Sequence, residues 1–323
     1  MATVFPFVMK AGSIPIVDCH CHFLDAHQHT YPIFQQRSPG LEALVGDYSA
    51  LPRCYLPDDY LRDANGFHVV KIVWAEFMST DPSRGVRWAE NLSDEQAYPH
   101  GIIALVDFLS PDIERTLHFY GSLGHVRAVR QHLAWHPNNL LLRFATRSDV
   151  WADKAWQAGL ACVRDHDLRC EIEIFSSQLP ELKVLANSYP DIQFILPVMG
   201  WPIDLSETGH RDWKRHMKAL ASCENVAVKI FGMECIFGLG WTIDQVRPWI
   251  LDTIEVFKPE RCMFASHMPI AKLACSFQDL YRAYLDIVSG FSVSETRKLF
   301  YDTATTIYGL ANLEQAEDAV QAS

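Results

Sequence analysis

The side chains best suited to chemistry fall in a few short runs of the chain. Ile16-Val-Asp-Cys-His-Cys-His22 closes an apolar stretch and sets His20 and His22 two positions apart. Residues at that spacing project to one side of an extended chain, so both imidazoles can face one ion or one substrate. Cys19 and Cys21 alternate with them and are expected to point away. Cys170-Glu-Ile-Glu-Ile-Phe175 puts Glu171, Glu173 and Phe175 on one face of a strand and Cys170, Ile172 and Ile174 on the other. With the apolar face packed on helices, two carboxylates point inward, where an unpaired charge is too costly to stand alone. Glu173 is then either a ligand to a divalent ion, with His20, His22 and His267, or the partner of a cation such as Arg130 or Lys229.

Arg130 lies near the end of Val126-Arg-Ala-Val-Arg-Gln-His132 and offers a planar guanidinium able to grip a carboxylate at two points. Lys229 closes another apolar run and is either a second anion-binding group or the neutralising partner of an inward glutamate. With His132, these cations would make a positive pocket. His267 can serve as a general base, because the ordinary imidazole pKa of about 6.5 suits proton transfer near neutrality, or as a metal ligand. Ser266 beside it lacks a GxSxG setting, which argues against a serine hydrolase. The run Phe231–Trp241 and the pair Trp135-His136 read as an apolar and aromatic rim, and His27 and His29 as solvent or lid residues.

These residues need a frame, and the hydrophobic pattern supplies one. Eight β-rich runs are legible: Ile14–Asp18, His68–Trp74, Gly101–Asp107, His125–Gln131, Cys170–Phe175, Gln193–Val198, Asn225–Ile230 and Cys262–Ser266. Most are continuously apolar, as strands buried on both faces of a parallel sheet are. Helix-period segments lie between them; Ala155–His166 sets Trp156, Leu160 and Val163 on one side. Strand–helix alternation with eight strands predicts a single (β/α)8 barrel of the TIM type. An open doubly wound sheet would normally show a glycine-rich phosphate loop after its first strand, and none is present. The barrel is expected over 14–310, with an N-terminal extension at 1–13 and a polar tail at 311–323. The long 23–66 segment is expected to fold as a loop with short helices over the barrel mouth, where insertions shape specificity.

Ile16–Phe23 resembles the first-strand signature of the amidohydrolase superfamily. The chain as a whole is most similar to its amidohydrolase-2 branch, which includes pyrone-dicarboxylate lactonase and sugar lactonases. Val126–Leu133 resembles the branch's arginine-bearing fourth strand, Gln178–Pro202 its sixth unit, Val228–Gly232 its seventh strand and Pro259–Pro269 its eighth. The match runs in order from about residue 14 to 310. It implies a hydrolase that opens a carboxylate-bearing lactone or related cyclic carbonyl compound, with Arg130, Lys229, His132 and Trp201 at the substrate and His20, His22 and His267 at the reacting carbonyl. A divalent ion, zinc or alternatively manganese, would sit on His20, His22, Glu173 and His267; metal-free catalysis is the alternative. Two positions depart from the fuller pattern: Val198 stands at a family histidine and His267 at a family aspartate, the usual water-activating base or metal ligand. Non-oxidative decarboxylation, also found in the superfamily, is the competing reaction, and a catalytically altered binding protein the competing class.

Composition limits the partners. The chain has 323 residues, 49% hydrophobic and 21% charged, an ordinary balance for a folded globular protein. A net charge of −11 argues against general affinity for nucleic acid or anionic membranes. No apolar run is long enough for a membrane span, and Met1–Gly12 lacks the leading charge of a secretory signal. Nine scattered cysteines without a CxxC pair fit reduced thiols. A cytoplasmic enzyme for a small anionic substrate is expected, and a homo-oligomer is compatible with it.

Overall fold

The computed structural model describes residues 14–311, so the expected extension at 1–13 and all but the first residue of the expected tail lie outside the described residues. Eight parallel strands form one sheet in chain order: β1 (Ile16–Cys21), β2 (Val69–Ala75), β3 (Gly101–Leu105), β4 (Val126–His132), β5 (Arg169–Glu173), β6 (Phe194–Leu196), β7 (Val226–Ile230) and β8 (Cys262–Phe264). Helices follow the strands, among them Pro82–Gln96, Ile113–Gly121, Lys154–Ala161, Leu179–Ser188, Glu207–Leu220, Ile243–Phe257 and Phe277–Ile287. The result is the expected (β/α)8 barrel, nearly closed. Just past the ends of β1 and β8 the His267 amide donates to the His20 carbonyl (2.8 Å) and the His22 amide to the Met268 carbonyl (2.7 Å).

Two apolar layers hold the frame. Val17, Cys19, Val73, Ile103, Ile195 and Met263 pack inside the barrel. Cys170, Ile172 and Ile174 pack outward with helix residues such as Trp156, Leu160 and Val163. The small Ala75, Ala128 and Ala227 on the inner face leave room near the axis for long polar side chains. At the other end, Tyr301, Ala304, Tyr308 and Leu310 join the inner cluster, and the Arg169 Nε, at the start of β5, donates to the Ile307 carbonyl (2.6 Å).

One expectation fails in an instructive way. Strict alternation does not run through the first motif, because the β1–β2 register shifts between Asp18 and Cys21. Cys19 therefore stays with Val17 in the inner cluster while Cys21 packs with the helix layer. The irregularity turns His20 and His22 toward the barrel axis, a re-aiming that bulges commonly perform beside functional sites. β1 also extends beyond the expected Asp18, with Cys21 still paired to Trp74.

The 23–66 segment folds into a two-stranded ribbon, Leu24–Asp25 with Cys54–Tyr55, and the helices Pro32–Gln35, Pro39–Val45 and Pro57–Asp63. Ser38 caps the middle helix by accepting from the Leu41 amide (3.2 Å), with Pro39 at its first position. That helix packs beside Leu140–Leu142, in the loop after β4, and the two segments together roof the C-terminal mouth of the barrel.

Candidate active site

Three imidazoles meet at the C-terminal mouth. The ring centroids lie 4.9 Å apart for His20 and His22, 5.5 Å for His20 and His267, and 5.3 Å for His22 and His267. One ring nitrogen from each comes within 4.8 Å of the others. In every case Nδ1 is engaged from outside the group. His22 Nδ1 donates to the Ala75 carbonyl (2.8 Å), and His267 Nδ1 is 2.5 Å from the Glu234 carboxylate. Both contacts hold a proton on Nδ1 and leave Nε2 as the basic nitrogen. His20 Nδ1 is 2.7 Å from Lys229 Nζ, which also lies 2.5 Å from Glu171 Oε2 and donates to the Cys19 carbonyl (3.4 Å).

His20 is therefore different from its neighbours. An ammonium donating to Nδ1 leaves the ring proton on Nε2 and makes that nitrogen a donor. The opposite tautomer arises without any net gain or loss of protons if Lys229 passes a proton to Glu171 and accepts from His20 Nδ1–H. Burial, and after it the charge of Lys229, pushes the His20 pKa well below the ordinary value; burial and the charge of His267 do the same to His22. Both rings are accordingly neutral.

The loop after β8 is held in a conformation that His267 would not choose alone. Its φ is +59°, in the left-handed region. Besides the backbone bonds to β1, Asp18 fixes this loop: Oδ1 accepts from the Ser266 amide (2.8 Å) and Oδ2 from the Tyr60 hydroxyl (2.6 Å). Burial lifts the Asp18 carboxyl, and the hydrogen bonds from Ser266 and Tyr60 oppose that rise. Glu234 comes from the turn after β7, where Gly232 has φ +78° and a Cβ would meet Val198 at 3.0 Å. Glycine is needed there on both counts.

A second polar group stands beside the first. Glu173 Oε1 is 2.6 Å from His132 Nδ1 and Oε2 is 3.8 Å from Arg130 Nη1. Burial would raise the Glu173 carboxyl, but the charges of His132 and Arg130 outweigh it and hold it at about 2. Arg130 Nη2 donates to the Glu76 carbonyl (2.5 Å), while Arg130 Nε and His132 Nε2 are buried without a partner. Orphaned buried polar atoms of this kind are rare except where a ligand or ordered water completes them.

Between these groups and the roof lies a cavity of about 300 Å³ lined by His22, Arg130, His132, Glu173, Trp201 and His267 among others. A larger surface groove of about 720 Å³ runs past Trp135, Trp151 and Tyr189 but contains none of the candidate residues.

The expected residues thus divide. His20, His22 and His267 assemble as one group, and Arg130, His132 and Trp201 reach the cavity. Glu173 does not join the histidines, because His132 and Arg130 take its oxygens; it belongs to neither ion-compatible cluster found among the described residues. Lys229 is wholly buried against Glu171 and does not line the cavity, so its charge is consumed by the inward glutamate and not offered to an anion. Of the pair read as solvent or lid residues, His29 is buried beside Trp88 in the 23–66 segment and so is not a solvent residue. Glu234 was read only as part of an aromatic rim. Its signal was that it is the lone acid in Phe231–Trp241, an apolar run in which a carboxylate must find a partner.

The three imidazoles fit a divalent ion by donor type, since neutral histidines form one of the catalytic zinc sets. An all-nitrogen set favours zinc over manganese. An ion taking all three would also take the His267 lone pair that base catalysis requires.

The family model described as amidohydrolase matches residues 17–310. An uncharacterised protein of Sinorhizobium fredii, y4mH, is 33% identical over 303 residues, covering 92% of this chain and 99% of its own. The L-fucono-1,5-lactonase of Burkholderia multivorans is 24% identical, covering 89% and 96%. A crystal structure of an amidohydrolase from Burkholderia multivorans with bound zinc superimposes with a TM-score of 0.74 at 20% identity, covering 92% of this chain and 99% of that one.

Proposed function

The chain belongs to the amidohydrolase family, and from that premise we propose that it opens a carboxylate-bearing lactone by attack of water. The observation that carries this reading is the His267–Glu234 pair. Its 2.5 Å contact leaves His267 with a basic Nε2 at the cavity wall, beside the strand ends that hold the substrate. His267 replaces a carboxylate base by an imidazole, and Glu234 holds the tautomer and stabilises the cation that forms when the water proton is taken. His20, as the Nε2–H tautomer set by Lys229, donates toward the carbonyl oxygen on which charge develops. Arg130, with its free Nε, holds the substrate carboxylate; His132, the cation paired with Glu173, donates from Nε2 to a neighbouring oxygen. The bond formed is water oxygen to acyl carbon. The bond broken is acyl carbon to ring oxygen, which leaves as the hydroxyl of a hydroxy acid after taking the proton from His267.

A zinc ion held by His20, His22 and His267 would polarise the same carbonyl as a Lewis acid. It would compete with the base role for the His267 nitrogen, so metal content discriminates between the two.

The test is hydrolysis of a lactone panel in ¹⁸O water, with metal analysis of the same preparation. One ¹⁸O in the product carboxylate, no carbon dioxide and at least 100-fold loss in His267→Asn are expected. Release of carbon dioxide without ¹⁸O uptake would replace hydrolysis by decarboxylation. About one zinc per chain that disappears in His267→Asn would move His267 from base to ligand.

A further inference from the structure

The geometry points to a substrate class: a lactone whose ring carries alkyl or aryl groups in place of hydroxyls. This rests on the hydrolase reading above and narrows it. The charged and imidazole side chains of the cavity, His22, Arg130, His132, Glu173 and His267, stand at the ends of β1, β4, β5 and β8. Opposite them the roof is made by Ile33, Leu41, Leu44 and Val45 of the 23–66 segment. Phe77, Phe144, Val198, Trp201, Phe231 and Ile270 complete the walls. Ser38 is the only hydroxyl side chain among the lining residues; its oxygen accepts from the Leu41 amide, which leaves its single O–H as the one hydroxyl donor the lining offers.

A sugar lactone carries hydroxyls around its whole ring. One polar pole can serve the ester and one neighbouring acid group, but not oxygens directed at Leu41, Leu44 or Val45. Hydroxyls placed there lose their water and gain no partner. An apolar pocket rejects a single added hydroxyl by roughly 100-fold, so a polyol ring is disfavoured by at least that factor. The cavity, about 300 Å³, is at the small end of ligand pockets, which suits one ring or two fused rings.

The experiment compares kcat/KM for 3,4-dihydrocoumarin-4-carboxylate and 2-methyl-5-oxotetrahydrofuran-2-carboxylate, which carry the acid group on an otherwise apolar ring, with that for D-glucaro-1,4-lactone, which carries it on a hydroxylated one, by pH-stat on the full chain. A preference of at least 100-fold for the apolar lactones is expected, narrowing by tenfold or more in Leu44→Asn or, should that variant fold poorly, Leu41→Asn. A sugar lactone turned over within tenfold of the apolar ones would overturn the inference. If no lactone is hydrolysed, the reaction reading fails by itself, and binding then decides the cavity. 3-Phenylpropanoate bound at least tenfold tighter than L-fuconate upholds the apolar class. Equal binding, tighter L-fuconate or no binding of either overturns it.

Discussion

Replacing Lys229 by methionine removes a wholly buried ammonium whose nitrogen lies 2.5 Å from Glu171 and 2.7 Å from His20. Methionine fills nearly the same volume, so the perturbation is electrostatic. Removing one partner of a buried ion pair leaves the other charge uncompensated, at a cost of about 3–5 kcal/mol. Against a total stability of roughly 5–15 kcal/mol this is a large fraction. Glu171→Gln is expected to cost a similar amount, since it strands the ammonium instead. The double variant, with neither charge, should recover most of both losses, because an apolar or neutral replacement of a buried pair is often close to neutral. Urea unfolding followed by the fluorescence of the nine tryptophans measures all four proteins, with an unchanged slope showing that the same surface is exposed. The expected coupling is about 3 kcal/mol or more. A Lys229→Met loss below about 1 kcal/mol, or a double variant whose loss equals the sum of the singles, would refute the claim that Lys229 exists to neutralise Glu171.

Glu234→Gln presents an amide to His267 Nδ1 and frees the tautomer, so kcat for the best lactone should fall at least 100-fold; Glu234→Gln combined with His267→Asn should be no worse than His267→Asn alone, because the pair acts as a unit. Glu173 is held at about 2 against an ordinary 4.5, so it contributes stability above the ordinary value that is lost as pH falls toward 2. By pH 3 about 2 kcal/mol of that contribution is gone, and in Glu173→Gln the decline of unfolding free energy from pH 5 to 3 should be shallower by that amount. Lys258, which ends helix Ile243–Phe257 at φ 67° and ψ 156°, occupies a region that only glycine enters freely. Lys258→Gly should therefore stabilise by about 1 kcal/mol in the same urea assay.

The fold was legible because its signals are local and repeated: eight β-rich runs, most of them continuously apolar, separated by helix-period segments. The inward face of β5 was legible too, since Glu171 and Glu173 share a side whatever the register of neighbouring strands. Partner choice was not legible. Which of two inward glutamates meets Lys229 depends on depth along the barrel axis and on side-chain reach, and alternation says nothing about either: Glu171 takes Lys229, while Glu173, level with His132, is also the glutamate that Arg130 reaches although Arg130 is in register with Glu171. The orientation of Cys19 escaped for a related reason, because one irregular register between Asp18 and Cys21 reverses what period two predicts. Glu234 was hidden by its surroundings, an acid inside an aromatic run whose partner is 33 residues further along.

These pairings let the end of β8 carry His267 while the charges of the site stay balanced. The barrel interior has three buried acids that each touch an imidazole: Glu171 through Lys229 to His20, Glu173 to His132 and Glu234 to His267. Among the described lining residues of the cavity Glu173 is the one carboxylate, and it is paired. With an aspartate at 267, Glu234 would face it as a second buried anion at short range, and one of the two would have to take up a proton. Histidine at 267 and glutamate at 234 are thus a coupled choice. His267→Asp alone should lower activity and stability together, while His267→Asp with Glu234→Gln should restore stability and leave an aspartate where the family's base stands. Failure of the second change to recover the urea midpoint would show that Glu234 tolerates a neighbouring carboxylate and that the two positions are independent.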